Sequence, residues 1–408
     1  MILDRIKAKL PGALNNNKSR KDLKSFIEFG VGYIVVLVVG FLLVRMINKT
    51  LTPVEMGKYA FIYSLVPLLT PFLFFCAPQS YLRFHQDHSI SVHLRKFLLP
   101  AVYFAVACLI GIIYYYTRCW YAVLYAAFPI FTEKTYLLRC QMNTMKFNVL
   151  RCVELFVPLC GILVLKHFYT LNANLLLLLY GLGYLTSYFF RASRMNENPV
   201  EKKKVVQYLW PTVFTAVLGM FITNSAVILT KHYFGYEAAG GMGVATKALM
   251  FTNSMFTLFL MFFPMIYVRE AEKGNIRLIV IYRRIIMLTA LCACGFFAIF
   301  HKLVYLVIGA EGYVAQSGLF CWLLLVSFFN FTADIYWLYF AFEIKTWKST
   351  LLKLASCLII LGGCWYIPRG GIGFIPVLLA IAVGITSFAG MLLALYSERK
   401  HFYKRIKS

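Results

Sequence analysis

The sequence predicts an all-α integral membrane protein: twelve transmembrane helices in two six-helix lobes, with both termini in the cytoplasm. Three observations predict it. Charged residues make up 14% of the 408-residue chain, against roughly 25% in soluble globular proteins. Apolar residues run in stretches of about 20 with few charges, the length a helix needs to cross a bilayer, and without the amphipathic period of a soluble core helix. Finally, 32 of the 41 Lys and Arg residues fall in alternate connections, the tails and the adjoining helix ends, leaving 9 on the other side. That asymmetry is the positive-inside rule, and it accounts for the net charge of +25 without nucleic acid.

In chain order, residues 1–24 read as a cytoplasmic tail. The segment MILDRIKAKL sets Ile2, Leu3, Ile6 and Leu10 against Arg5, Lys7 and Lys9, then turns polar. It has neither the apolar stretch nor the small-residue cleavage site of a secretory signal, and is expected to lie on the membrane surface or stay disordered. Hydropathy places spans at 25–47, 57–78, 97–117, 119–138, 147–165 and 172–190, which form a first lobe over 25–191. The polar stretch RASRMNENPVEKKK follows at the midpoint, with a cytoplasmic linker at 192–204. Spans at 205–230, 245–267, 284–306, 316–341, 349–367 and 372–396 form a second lobe over 205–397. Residues 398–408 are a cytoplasmic tail.

The halves carry a faint repeat. MGKYAFIYSL at 56–65 aligns with MGVATKALMF at 242–251, and APQSYLR at 77–83 with FPMIYVR at 263–269, both at an offset of 186. An acid, Glu55 or Glu237, precedes each Met-Gly. Repeated halves are a transporter signature, with a central site between them.

LTPVEMGKYAFIYSL, after the first span, resembles the start of the polysaccharide (O-antigen and capsule-type) flippases of the multidrug/oligosaccharidyl-lipid/polysaccharide exporter superfamily. ILTKHYFGYEAAGGMGVATKAL resembles that family's connection between helices seven and eight. The likeness in layout covers the whole chain. It implies two six-helix lobes around a central cavity, alternating access, and outward movement of a lipid-linked oligosaccharide across the inner (cytoplasmic) membrane for lipopolysaccharide or capsule synthesis. Partners implied are that substrate, membrane lipids, and a polysaccharide polymerase and glycosyltransferases. An Asp that many members carry late in helix seven is replaced by Ala226 and Val227, leaving Asn224 and Ser225 as the nearest polar groups.

Charges inside spans are the informative residues, since each costs about 2.5–3.5 kcal/mol at the bilayer centre on insertion scales. Asp334 lies nine residues before Glu343, about 13 Å inside the cytoplasmic helix end. It is either a proton, cation or cavity-lining group, or a buried acid paired with a Lys or Tyr of a neighbouring helix. Glu28 and Arg45, near opposite ends of span 1, read as interfacial or cavity-lining. Arg151 and Glu154 pair at i,i+3 on one helix face, although an Arg at a cavity mouth also suits a phosphate. Lys247 reads first as a snorkelling anchor at the outer edge, and as a cavity-mouth group only if its face turns inward. Arg83 and Arg269 close spans 2 and 8 as cytoplasmic anchors. Pro67 and Pro71 each remove a backbone donor in span 2 and are hinge candidates.

No catalytic residue, cofactor or metal is expected. The cysteines are scattered singly, and His85, His88 and His93 share a loop without rigid partner ligands. No G-x-x-x-x-G-K-[ST] signature is present, which speaks against a built-in ATPase. An ion-coupled drug or metabolite exporter of the same superfamily is the main rival. A membrane polymerase or acyltransferase is the weaker one, because the outer connections are short and His167, His232 and His301 are isolated.

Overall fold

A computed structural model describes residues 17–74, 119–140, 143–190 and 202–407 except 344, together with six residues between 107 and 115. Among the described residues there is no strand. The helices are α1 (Asn17–Thr50), α2 (Pro53–Phe74), α3 (Ala122–Cys140), α4 (Thr144–Leu165), α5 (Ala173–Leu185), α6 (Lys202–Ala248), α7 (Met250–Glu272), α8 (Ile276–Ile299), α9 (His301–Val307), α10 (Gly318–Phe342), α11 (Trp347–Gly363) and α12 (Phe374–Lys407). Short 3₁₀ segments and one turn of α-helix join some of them. Eight of the described helices are long and apolar enough to cross a membrane. Residues 75–96, with Arg83 and the three loop histidines, lie outside the described residues, as does most of the expected span 97–117.

Local chemistry sets several boundaries. Asn143 and Asn172 cap α4 and α5 by accepting from the backbone N–H groups of Lys146 and Leu175 at 3.2 and 2.9 Å. Glu55 adds a carboxylate to the α5 N-terminus, accepting from the Ala173 N–H at 2.8 Å while pairing with Lys58 at 2.7 Å. The outward faces of these helices stay apolar: Ile34, Leu288, Leu358 and Ile385 are exposed. With no charge on those positions, they suit contact with lipid.

One core runs through both halves and includes Tyr59, Leu176, Val244, Ile308 and Leu379. A second sits within the second half, among Phe263, Tyr267, Ile286, Phe340 and Ala394.

The boundary between spans 7 and 8 differs from expectation. α6 breaks at Gly235, whose φ of 83° and ψ of −174° are the only non-helical values inside it. Ile222 and Thr223 before the break line the same cavity as Thr246, Leu249 and Asn253 after it, so the chain folds back at this one residue. A residue with φ in this range is tolerated without strain only by glycine. The returning helix therefore starts near residue 236, nine residues earlier than hydropathy predicts. Polar and small residues there (GYEAAGG) lower the hydropathy but do not oppose helix once packed.

Helix α12 also runs past the expected boundary at 397. Glu398 is buried there and takes a bidentate pair from Arg283 of α8, at 2.9 and 3.2 Å. The Tyr267 hydroxyl donates to the same carboxylate at 3.0 Å, and the Arg283 guanidinium lies 4.6 Å from the Tyr336 ring centre. The start of the expected C-terminal tail is thus tied into the second half.

The halves meet where α2 crosses the segment after Gly235. A Cβ on Gly57 would fall 1.7 Å from the Tyr236 carbonyl oxygen, and one on Gly240 would fall 2.4 Å from that of Pro53. A Cβ on Gly243 would meet that of Ala60 at 2.5 Å. The pairs 53 and 236, 57 and 240, and 60 and 243 share one offset, 183, and the first two exchange roles across the crossing. This is the reciprocity of a two-fold relation between the halves. The offset is three residues short of the 186 read from Met-Gly, close to one helical turn.

Candidate functional site

Two polar sites lie on opposite sides of the returning helix, and adjacent residues face them. Lys247 points into the first half and Thr246 lines a cavity of the second.

In the first half, α2 contributes Tyr59 and Tyr63, and α5 contributes Tyr180 and Tyr184. Each pair is spaced i,i+4, which sets both rings on one helix face. The four rings pack on each other: Tyr59 stacks on Tyr180 with centres 5.8 Å apart, Tyr63 meets Tyr180 edge-on at 5.4 Å, and the Tyr63 and Tyr184 hydroxyls are 2.5 Å apart. The Lys247 ammonium enters this group from the second half. It lies 4.8, 4.6 and 5.3 Å from the ring centres of Tyr59, Tyr63 and Tyr180, and donates to the Tyr59 hydroxyl at 2.5 Å. Three ring faces around one ammonium form a cation–π cage.

Behind the cage, Arg151 donates to Glu154 at 2.8 Å, as their spacing predicts. The carboxylate is buried and the guanidinium is half-buried, 5.4 Å from the Phe131 ring centre. Glu154 acts on Lys247 only through space, with no direct ion pair. Among the described residues, the cluster sets the Arg151 and Lys247 cations beside the Glu154 carboxylate.

In the second half, a cavity of about 210 Å³ lies among α6, α7, α10 and α12. Its polar lining is Thr223, Thr246, Asn253, Thr257, Ser327, Asn330 and Asp334, set among Phe256, Leu260 and Phe331. Asn253 accepts from the Ser327 hydroxyl at 2.5 Å. Asp334 faces this space and forms no hydrogen bond or ion pair among the described residues; Lys353 of α11 is the charge that acts on it. A carboxylate with no direct partner among the described residues, beside amide and hydroxyl oxygens, has the donor set of a proton or hard-cation site.

The remaining candidates are dispersed. Lys247 is not the outer anchor of the first reading: the helix starts near 236, which puts it about 16 Å along the helix rather than at its tip. Asn224 does not line the cavity; its amide donates to the Met220 carbonyl at 2.8 Å, and Thr223 takes the lining position. Arg45 remains exposed at the end of α1 beside Gly309. Glu28 falls within α1 and Arg269 within α7, with side chains outside what is described. Pro67 and Pro71 sit in α2, and that helix continues through both. The four tyrosines form two i,i+4 pairs in the sequence, but nothing local ties either pair to Lys247. No group of three or more potential metal ligands occurs among the described residues.

Neither the family models nor the curated proteins searched give any match to the chain. Solved structures do match. One is a MATE transporter crystallised with MaL6, at 12% identity and a TM-score of 0.69 over 94% of this chain and 97% of that one. A second is the inward-facing conformation of a multidrug resistance MATE transporter of the MOP superfamily, at 13% identity and 0.62, covering 91% and 99%. A third is a MOP superfamily transporter from Pyrococcus furiosus, described as having a binding pocket of reverse polarity that suggests a different function, at 12% and 0.60, covering 92% and 95%. The chain therefore has the all-α membrane fold of MATE transporters over nearly its whole length.

Proposed function

We propose that this chain is a multi-pass transporter that moves a polyprenyl-diphosphate-linked oligosaccharide from the inner to the outer leaflet of the cytoplasmic membrane, for surface polysaccharide synthesis. The observation that carries this reading is the charge of the cluster between the halves. Glu154 is already paired with Arg151, and the Lys247 ammonium has no ion pair among the described residues. A cation with a half-buried guanidinium beside it favours a diphosphate head. Tyrosine hydroxyls and ring faces suit the attached sugars, while the lipid tail stays in the bilayer. Asp334 would take the coupling proton or cation. Alternating access would carry the head past Lys247 as the halves rock.

A second reading is favoured by the likeness to a multidrug resistance MATE transporter and by the carboxylate in the second-half cavity: an ion-coupled exporter of drugs or metabolites. Deleting the gene in its own host separates the two. Loss of surface glycan, restored by the intact gene, supports the flippase. Normal surface glycan with raised sensitivity to toxic cations supports the exporter.

A further inference from the structure

The closest backbone contacts between the two halves lie at one end of the molecule, where α1 ends, α2 begins and α6 turns at Gly235, although α1 also meets α7 further along, where a Cβ on Gly30 would lie 3.9 Å from Leu258. The Asn48 amide donates to the Ile308 carbonyl at 2.9 Å. Gly57 crosses Gly240 there, and Lys247 is seven residues beyond that crossing, about 10 Å along the helix.

We propose that Lys247 is a latch: its ammonium in the Tyr59–Tyr63–Tyr180 cage closes the halves on each other at this end, and an anionic diphosphate head is the ligand that withdraws it. The second clause rests on the flippase reading above. The cage fits a latch because it holds without an ion pair. Its partners are three neutral rings and one hydroxyl, and the nearby carboxylate is taken up by Arg151. A diphosphate offers the ammonium full negative charge and several acceptor oxygens, so it outcompetes ring faces. The flexible four-carbon stem lets the ammonium change partners without moving the backbone. Lys247, Tyr63 and Arg151 are all half-buried rather than sealed.

Single-molecule energy transfer tests this on the full chain in nanodiscs, with dyes on non-natural residues at exposed Phe168 and Trp365. Phe168 lies in the turn before the α5 terminus that Glu55 caps, and Trp365 follows Cys364, which Tyr233 contacts near the Gly235 turn. Both therefore report on this end. Without ligand, the intact protein should show one short-distance population. Lys247→Met should convert much of it, several-fold over the intact protein, to a longer one, and Lys247→Arg should keep it short. Tyr63→Leu, made from the other side of the cage, should open it too and decides the matter if Lys247→Met fails to fold. Undecaprenyl diphosphate should open the intact protein and add nothing to Lys247→Met. A short population unchanged in Lys247→Met overturns the latch, even if undecaprenyl diphosphate opens the intact protein. If Lys247→Met opens while undecaprenyl diphosphate leaves the intact protein closed, the latch stands and the diphosphate reading falls.

Discussion

Gly57 of the first half and Gly240 of the second occupy each other's missing side-chain space: a Cβ on either would strike the backbone carbonyl one helical turn before the other, at Tyr236 or Pro53. Two backbones that meet through carbonyls cannot give way separately, so bulk here acts on the whole junction.

The first prediction follows from that contact. Gly57→Ala should destabilise the protein by about 1–3 kcal/mol, the usual cost of overpacking, seen as a lower thermal midpoint in detergent. Gly240→Ala should behave alike, given the reciprocity. Gly295→Ala is the control: it lies inside α8 with nothing within 4 Å of an added Cβ, so it should be neutral or gain about 0.5–1 kcal/mol from helix propensity. Equal midpoints for Gly57→Ala and Gly295→Ala would show that the halves do not meet at this crossing.

At Gly235 the expected cost has a different origin. Nothing lies within 4 Å of an added Cβ, so Gly235→Ala should cost about 1–3 kcal/mol through its backbone conformation alone. Gly235→Asn should cost about as much, because asparagine's tolerance of positive φ belongs to the left-handed helical region and not to a ψ of −174°. A thermal series ranking Gly above both variants checks this; no difference among the three would remove the turn.

The Arg283–Glu398 pair offers a sharper test of the C-terminal helix. Glu398→Ala leaves a buried guanidinium unpaired and should lower stability by about 3–5 kcal/mol. Replacing both partners together, as Arg283→Met with Glu398→Leu, should recover most of the loss. A midpoint insensitive to Glu398→Ala would mean that residues past 397 are a free tail after all.

Asp334 has no hydrogen-bonding partner among the described residues, so Asp334→Asn should leave the thermal midpoint unchanged. Transport by the variant should lose its response to an imposed ion or proton gradient, and Asp334→Glu should retain part of it. Full gradient-driven transport by Asp334→Asn would end the coupling role. A collapse of the midpoint would instead make the carboxylate structural.

The sequence made the membrane class legible through physics that depends on composition alone: charge depletion and apolar run length need no knowledge of tertiary contacts. Described helices overlap the expected spans, with 75–78 and most of 97–117 outside the described residues. Legibility failed where packing overrides hydropathy. GYEAAGG reads as an outer loop, yet it is helix from 236 because its small residues let α2 approach. Asp334 was visible because one carboxylate in an apolar run has a computable cost. The cage was not, because it joins α2, α5 and the segment after α6 turns, and no local pattern ties Lys247 to a tyrosine 188 residues away. The same holds for Arg283 and Glu398, which are 115 residues apart in the chain.

The most direct test of the central claim is flipping in purified vesicles. Proteoliposomes would carry a fluorescent undecaprenyl-diphosphate oligosaccharide, and a membrane-impermeant lectin or quencher would score the leaflet that holds it. The account predicts protein-dependent exchange of the labelled head between leaflets, strongly reduced in Lys247→Met. Head accessibility no different from protein-free vesicles, in preparations that expel an organic cation, would contradict it.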